Sequence, residues 1–193
     1  MKILHIDSSI LGGHSASRLL TAEIVARLKA ENPAAEVQYL DLAADSLPHL
    51  SGDSLAQADP VEAARNARTL SDFLEADVIV MGAPMYNFGI PSQLKAWIDR
   101  VVVAGKTFRY TQTGKEGLAG GKQVIVGISR GSVYAAGAPG EFAESYLQHV
   151  FSFMGIDDVK FVRAEGLGLS PEYREKSLNA AVAAIRAPLA AAA

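Results

Sequence analysis

The chain has 193 residues, 49% of them hydrophobic and 20% charged, a balance that fits one packed domain spanning residues 1–193 and excludes a disordered chain. A net charge of −3 leaves no basic footprint for nucleic acid or an anionic membrane surface, and the absence of cysteine rules out disulfides, thiolate metal sites and a cysteine nucleophile. Asp7 comes too soon for a signal-peptide core and no run approaches the ~18 apolar residues of a membrane span, so a cytoplasmic protein is expected.

Lys2 to Asp7 is short, β-prone and followed by the turn-rich run Ser8 to His14, which predicts a first strand. Ser15 or Ser17 caps the next helix, in which Leu20, Ile24 and Leu28 recur at helical spacing until Pro33 closes it. Val37 to Leu42 predicts a second strand, Ser46 to Pro60 a loop and Val61 to Leu74 a helix. The unbroken apolar run Val78 to Met81 marks a strand buried on both faces. Pro91 stands where a helix takes its first residue, and Leu94, Trp97, Ile98, Val101 and Val102 then form one core-facing stripe. Lys106 to Gly121 breaks the pattern and reads as an excursion. Gln123 to Ile128 is a fourth strand, Phe142 to Met154 a helix, Val159 to Val162 a fifth strand, and an Ala-rich helix runs from Pro171 into a tail that ends helical or frayed. This alternation predicts an α/β fold with a doubly wound, five-stranded parallel sheet and helices on both faces. The helix from Phe142 to Met154 is apolar over more than one face: Phe142, Tyr146, Val150 and Phe153 form one stripe, widened by Leu147, Phe151 and Met154. A covered second face predicts a homodimer interface there, with a thicker core as the alternative.

Ligands of open α/β sheets bind outside the carboxyl ends of the strands, and three loops at those ends are unusual. The first, Ser8 to Arg18, offers four serines, two glycines and a helix N-terminus, the equipment for holding a phosphate without a Walker lysine. The second, Gly82 to Pro91, brackets Met85, Tyr86, Asn87 and Phe88 between glycines and prolines, which suits a flat aromatic heterocycle. The third, Ser129-Arg130-Gly131-Ser132, lets backbone approach a ligand at Gly131; Arg130, a residue type usually found at the surface, is its weakest candidate. A phosphate beside a flat, amide-rich ring describes a mononucleotide flavin.

With Met85-Tyr86-Asn87-Phe88, Pro91-Ser92-Gln93-Leu94-Lys95 and Phe161 to Gly166, the chain resembles the FMN-dependent NADH:quinone and azo-compound oxidoreductases, or azoreductases, of the flavodoxin-like fold, over essentially its whole length. The resemblance implies that Ser9, Ser15, Ala16 and Ser17 hold the ribityl phosphate, while Met85 to Phe88 and Ser129 to Ser132 hold the isoalloxazine ring. Ser132 stands where a second glycine is usual. It further implies ping-pong transfer of two electrons from NADH or NADPH to a quinone or azo compound. No catalytic side chain and no metal are required, because the flavin carries the chemistry. Phe88, Tyr110 and Phe153 are the candidate aromatic walls of the substrate site, with Phe153 reaching across a homodimer or packing in the core. The alternative on the same architecture is a flavodoxin-type electron carrier without a small-molecule substrate.

Overall fold

A computed structural model describes residues 1–135 and 137–186, so the alanine tail lies outside the described residues. Strands β1 (Lys2–Asp7), β2 (Glu36–Asp41), β3 (Val78–Pro84), β6 (Gln123–Ser129) and β7 (Asp158–Ala164) form one parallel sheet in the order β2-β1-β3-β6-β7. Helices α1 (Ala16–Glu31) and α6 (Pro171–Arg186) cover one face, where Leu20, Ile24, Ala181 and Ile185 bury Ile3 and Val80. Helices α3 (Pro60–Glu75), α4 (Ser92–Val101) and α5 (Ala143–Phe153) cover the other, around Phe73, Trp97 and Phe151. The expected five-stranded, doubly wound architecture is thus present, and all seven residues of β3 are buried at its centre. The chain winds from β1 outward to β2, then returns to β3 and proceeds the other way. The reversal opens a crevice at the carboxyl ends of β1 and β3.

Local chemistry sets the boundaries. Ser15, not Ser17, is the N-cap of α1, its hydroxyl accepting from the Arg18 N–H at 3.3 Å. Pro91 precedes α4 by one residue with extended backbone, φ −56° and ψ 143°, so the helix begins at Ser92. Val102 correspondingly falls outside it. The stretch expected to be a loop before α3 contains one helical turn, α2 (Gly52–Ala56), closed by a Ser51–Ser54 capping box. Edge-to-face packing of Phe73 on Trp97, with centroids 5.8 Å apart, fastens α3 to α4.

The excursion between α4 and β6 is a hairpin, β4 (Phe108–Thr111) and β5 (Gly114–Gly117). It docks at the amino ends of the sheet strands, where α5 has run back toward the start of β7: the Ala119 N–H donates to the Met154 carbonyl at 2.9 Å. Gly117 makes this approach possible, since a Cβ there would stand 2.2 Å from the Gly155 nitrogen. The wide apolar surface of α5 divides accordingly. Leu147, Val150, Phe151 and Met154 enter the core, Phe153 packs half-buried against Phe108 at 4.6 Å between centroids, and Phe142 stays 63% exposed. No helix among the described residues is long and apolar enough to cross a membrane.

Candidate functional site

Register brings the three loops together. Ile6 pairs with Met81 and Pro84 with Ser129, so the chain leaves β1, β3 and β6 at the same level, and the Met85 N–H donates to the Ser129 carbonyl at 2.8 Å. In the first loop the Ser8 hydroxyl donates to the Gly82 carbonyl at 2.6 Å, and the Ser9 hydroxyl lies 3.2 Å from the Tyr86 hydroxyl. The Ser15 and Ser17 hydroxyls lie 3.1 Å apart at the start of α1. There the N–H groups of Ala16 and Ser17 have no acceptor within the helix, and the dipole favours an anion.

A polar brace fixes that helix end. Asp7 is buried and accepts from the hydroxyls of Thr21 at 2.8 Å and Tyr39 at 3.0 Å. Burial works to push its carboxyl up, but the His5 ring, Thr21 and Tyr39 together hold it below the usual range. Arg18 forks onto Asp41 with two 2.7 Å bonds and also donates to the Ser9 carbonyl at 2.9 Å. Its charge is thereby committed to protein groups. Gly82 admits the brace, since a Cβ there would sit 3.0 Å from Asp7 Oδ1 and 3.4 Å from the Ser17 hydroxyl.

The second loop is a two-residue turn. Tyr86 and Gly89 exchange N–H···O bonds of 3.0 Å, with Asn87 at φ 48° and Phe88 at φ 69°. Two consecutive left-handed residues are the mark of a type I′ turn. Asparagine tolerates this conformation, whereas phenylalanine adopts it at a cost of roughly 1–2 kcal/mol. Strain of that kind gathers at functional sites. The Phe88 ring is 57% exposed, and a Cβ on Gly140 would lie 3.3 Å from it.

The third loop corrects the expectation for the Arg130 side chain. It is buried, 3% exposed, and reaches Glu165 at 3.0 Å, Glu141 at 3.1 Å and Glu144 at 2.5 Å; Arg163 also pairs with Glu144. Arginine is buried only when paired, and carboxylates from two stretches of chain, residues 141–144 and Glu165, converge here. The backbone of this loop, by contrast, borders the crevice. Arg130 N–H donates to the Ala164 carbonyl and Gly168 N–H to the Gly131 carbonyl, both at 2.9 Å, while a Cβ on Gly131 would meet open space. Together the loops enclose a cleft of about 240 Å³. Hollows of about 710 Å³ flank β7, but neither receives the serine loop.

The chain matches the flavodoxin-like fold family over residues 1–189. It is 53% identical to FMN-dependent NADH:quinone oxidoreductase 1 of Xanthomonas euvesicatoria pv. vesicatoria (strain 85-10), covering 96% of this chain and 95% of that one. It is 55% identical to FMN-dependent NADH:quinone oxidoreductase of Xanthomonas oryzae pv. oryzae (strain KACC10331 / KXO85), covering 97% and 96%. The chain belongs to the FMN-dependent NADH:quinone oxidoreductase family. Among solved structures, the azoreductase from Bacillus anthracis str. Sterne superimposes with a TM-score of 0.86 at 30% identity, covering 96% of each chain. An FMN-dependent NADH-azoreductase from Bacillus anthracis str. Ames Ancestor, solved in complex with FMN, shares the fold with a TM-score of 0.84 at 24% identity, covering 96% and 98%.

Of the residues singled out in this oxidoreductase's sequence, Ser9, Ser15, Ala16, Met85, Tyr86, Ser129, Arg130 and Gly131 line the one cleft. Ser17 lies directly behind Ser15, Asn87 and Phe88 form the strained turn after Tyr86, and the Ser132 carbonyl accepts from the Gly166 N–H at 3.1 Å. Tyr110 and Phe153 are not brought to it. Both stand at the amino ends of the strands, Tyr110 77% exposed on the hairpin and Phe153 beneath it. Leu11 and His14, from the first loop, also line the cleft, as do Leu167, Gly168 and Arg174, which were not anticipated. The segment after β7 was within reach of the carboxyl-end rule that located the other loops. Arg174, inside α6, carried no local signal.

Proposed function

We propose that this chain binds FMN in the cleft and passes two electrons from NADH or NADPH to quinones and to aromatic azo compounds. The observation that carries this reading is the juxtaposition, at the β1/β3 reversal, of an anion-ready helix end with a left-handed aromatic turn. The chemistry of the donors fits the cofactor: hydroxyls of Ser9, Ser15 and Ser17 and the N–H groups of Ala16 and Ser17 suit a phosphate. Met85 to Phe88 supply an aromatic and amide wall. The N–H groups of Gly131 and Ser132, which have no acceptor among the described residues, suit the carbonyl edge of the ring and the negative charge it gains. Bound FMN would supply the redox chemistry, accepting hydride at N5 from the nicotinamide and yielding two electrons to the acceptor in a separate half-reaction.

This chain's own residues bind, orient and shield. Phe88 stands beside the ring site, where a nicotinamide and then an acceptor can stack in turn. Tyr110 and Phe153 reach that space only from a second copy, so this reading includes a homodimer. The exposed Phe142 at the start of α5 and Tyr110 on the hairpin favour it. The cytoplasm, where reduced nicotinamide is available, is the compartment that follows.

The experiment is an anaerobic visible spectrum of the FMN-loaded protein. Flavin bands that bleach promptly with NADH and recover on adding a quinone support the reading. Bands that resist NADH would point instead to an electron carrier, and a protein that takes up no FMN would refute the proposal altogether.

A further inference from the structure

The described residues contain ten arginines, and nine have a carboxylate oxygen within 4.0 Å: Arg18, Arg27, Arg65, Arg68, Arg100, Arg109, Arg130, Arg163 and Arg186. Arg174 is the tenth. Its guanidinium has no carboxylate partner among the described residues and makes one hydrogen bond, a 3.2 Å donation to the backbone carbonyl of His14. That carbonyl immediately precedes Ser15, the N-cap of α1, and Arg174 lines the same cleft as Ser9, Ser15 and Ala16. Helix electrostatics do not explain the position. Arg174 is the fourth residue of α6, near a helix end whose dipole disfavours a cation.

Apart from His14 and the glutamate-paired Arg130, the cleft otherwise meets an anion with hydroxyls and N–H groups. Of the other guanidiniums nearby, Arg18 is committed to Asp41 and the Ser9 carbonyl, and Arg130, which also lines the cleft, to Glu141, Glu144 and Glu165. One arginine therefore remains to answer a full negative charge, and it reaches the helix end from the opposite end of the chain. A guanidinium needs an oxyanion with two acceptors in its plane, and a phosphate monoester supplies them.

We propose that Arg174 is the charge-bearing member of the phosphate site, pairing with the phosphate monoester of the cofactor and so distinguishing FMN from riboflavin. This rests on the reading of the cleft as an FMN site. The same chemistry would also suit the 2′-phosphate of NADPH, but the shared cleft with Ser15 and Ala16 assigns it to the cofactor.

The test is a flavin-fluorescence titration of the cofactor-free full chain with FMN and with riboflavin, for wild type, Arg174→Gln and Arg174→Lys, at low and high salt. Losing a charge-assisted contact should weaken FMN binding roughly tenfold or more in Arg174→Gln. Riboflavin affinity should stay unchanged, which also reports an intact fold. Arg174→Lys should recover part of the loss, and the wild-type preference for FMN should shrink as salt rises. Equal weakening of both flavins would make Arg174 a packing residue and overturn the inference. So would unchanged FMN affinity, or an effect confined to the KM for NADPH. A wild-type chain that binds no FMN would bring down the proposed function and this inference together, whereas unchanged FMN binding in Arg174→Gln brings down the inference alone.

Discussion

Arg130→Met removes the cation on which Glu141, Glu144 and Glu165 converge while keeping an unbranched apolar stem of similar reach. The wild-type side chain is 2% exposed, and its three contacts lie between 2.5 and 3.1 Å. Deleting one partner of a buried ionic cluster costs about 3–5 kcal/mol, because charge remains without compensation. Glu144 and Glu165 keep 20% exposure, and Glu144 retains Arg163, so the lower part of that range, about 3–4 kcal/mol, applies here. In a domain of this size each kcal/mol moves Tm by roughly 2–4 °C, giving a fall of about 6–16 °C. Thermal unfolding followed by circular dichroism at pH 7.5, with protein concentration fixed, measures it. Repeating the melts at pH 4 adds a second check. Burial works to raise the Glu144 carboxyl, but Arg163 and Arg130 prevail and hold it below its ordinary 4.5. Its contribution is therefore present above pH 4.5 and lost as pH falls through the lowered value. Acid also relieves repulsion among the carboxylates left behind in the variant. The gap between the two proteins should narrow toward pH 4. A fall below about 3 °C at pH 7.5 is what an ordinary surface arginine would give. That result, or a gap equal at both pH values, would refute the reasoning.

Gly117→Ala should lift the hairpin from α5, because the new Cβ would stand 2.2 Å from the Gly155 nitrogen and 2.3 Å from the Met154 carbonyl carbon. The expected cost is about 1–3 kcal/mol. Hydrogen exchange should quicken at the Ala119 amide, which bonds the Met154 carbonyl, but not in β3; unaltered exchange at Ala119 would count against the docking described. The Tyr39 hydroxyl, partly buried and donating to Asp7, has its ionisation pushed up to about 12. Since this exceeds the unperturbed 10, the stability it brings is present below pH 10 and lost as pH rises toward 12. A wild-type minus Tyr39→Phe ultraviolet titration should centre near 12, and a midpoint near 10 would contradict the brace around Asp7.

The sheet was legible because its strands are short apolar runs bounded by turn residues, with Val78 to Met81 the plainest. Ser9, Ser15, Met85 and Tyr86 were legible as neighbours because one rule places all strand carboxyl ends together. Contacts between distant stretches were not. Arg130 reads as a surface residue until Glu141 from the loop before α5, Glu144 from α5 and Glu165 just after β7 close on it. The hairpin hides behind the polar run Arg109 to Glu116, whose alternation is too brief to signal strands, and whose docking depends on Gly117 meeting Gly155. Arg174 lies 160 residues from His14, and no pattern within α6 marks it.

The turn at Asn87 and Phe88 has one more consequence. Its direction is set by the main-chain bonds between Tyr86 and Gly89, so the ring at position 88 is mounted on a frame that owes little to its own packing. Ordering of the main chain that carries the ring falls on folding rather than on ligand capture, which leaves more of the encounter free energy for affinity. Exchanging residue 88 for another that accepts a left-handed backbone would alter the shape and polarity offered to a visitor without shifting the scaffold. The position is a socket into which new preferences can be fitted one residue at a time.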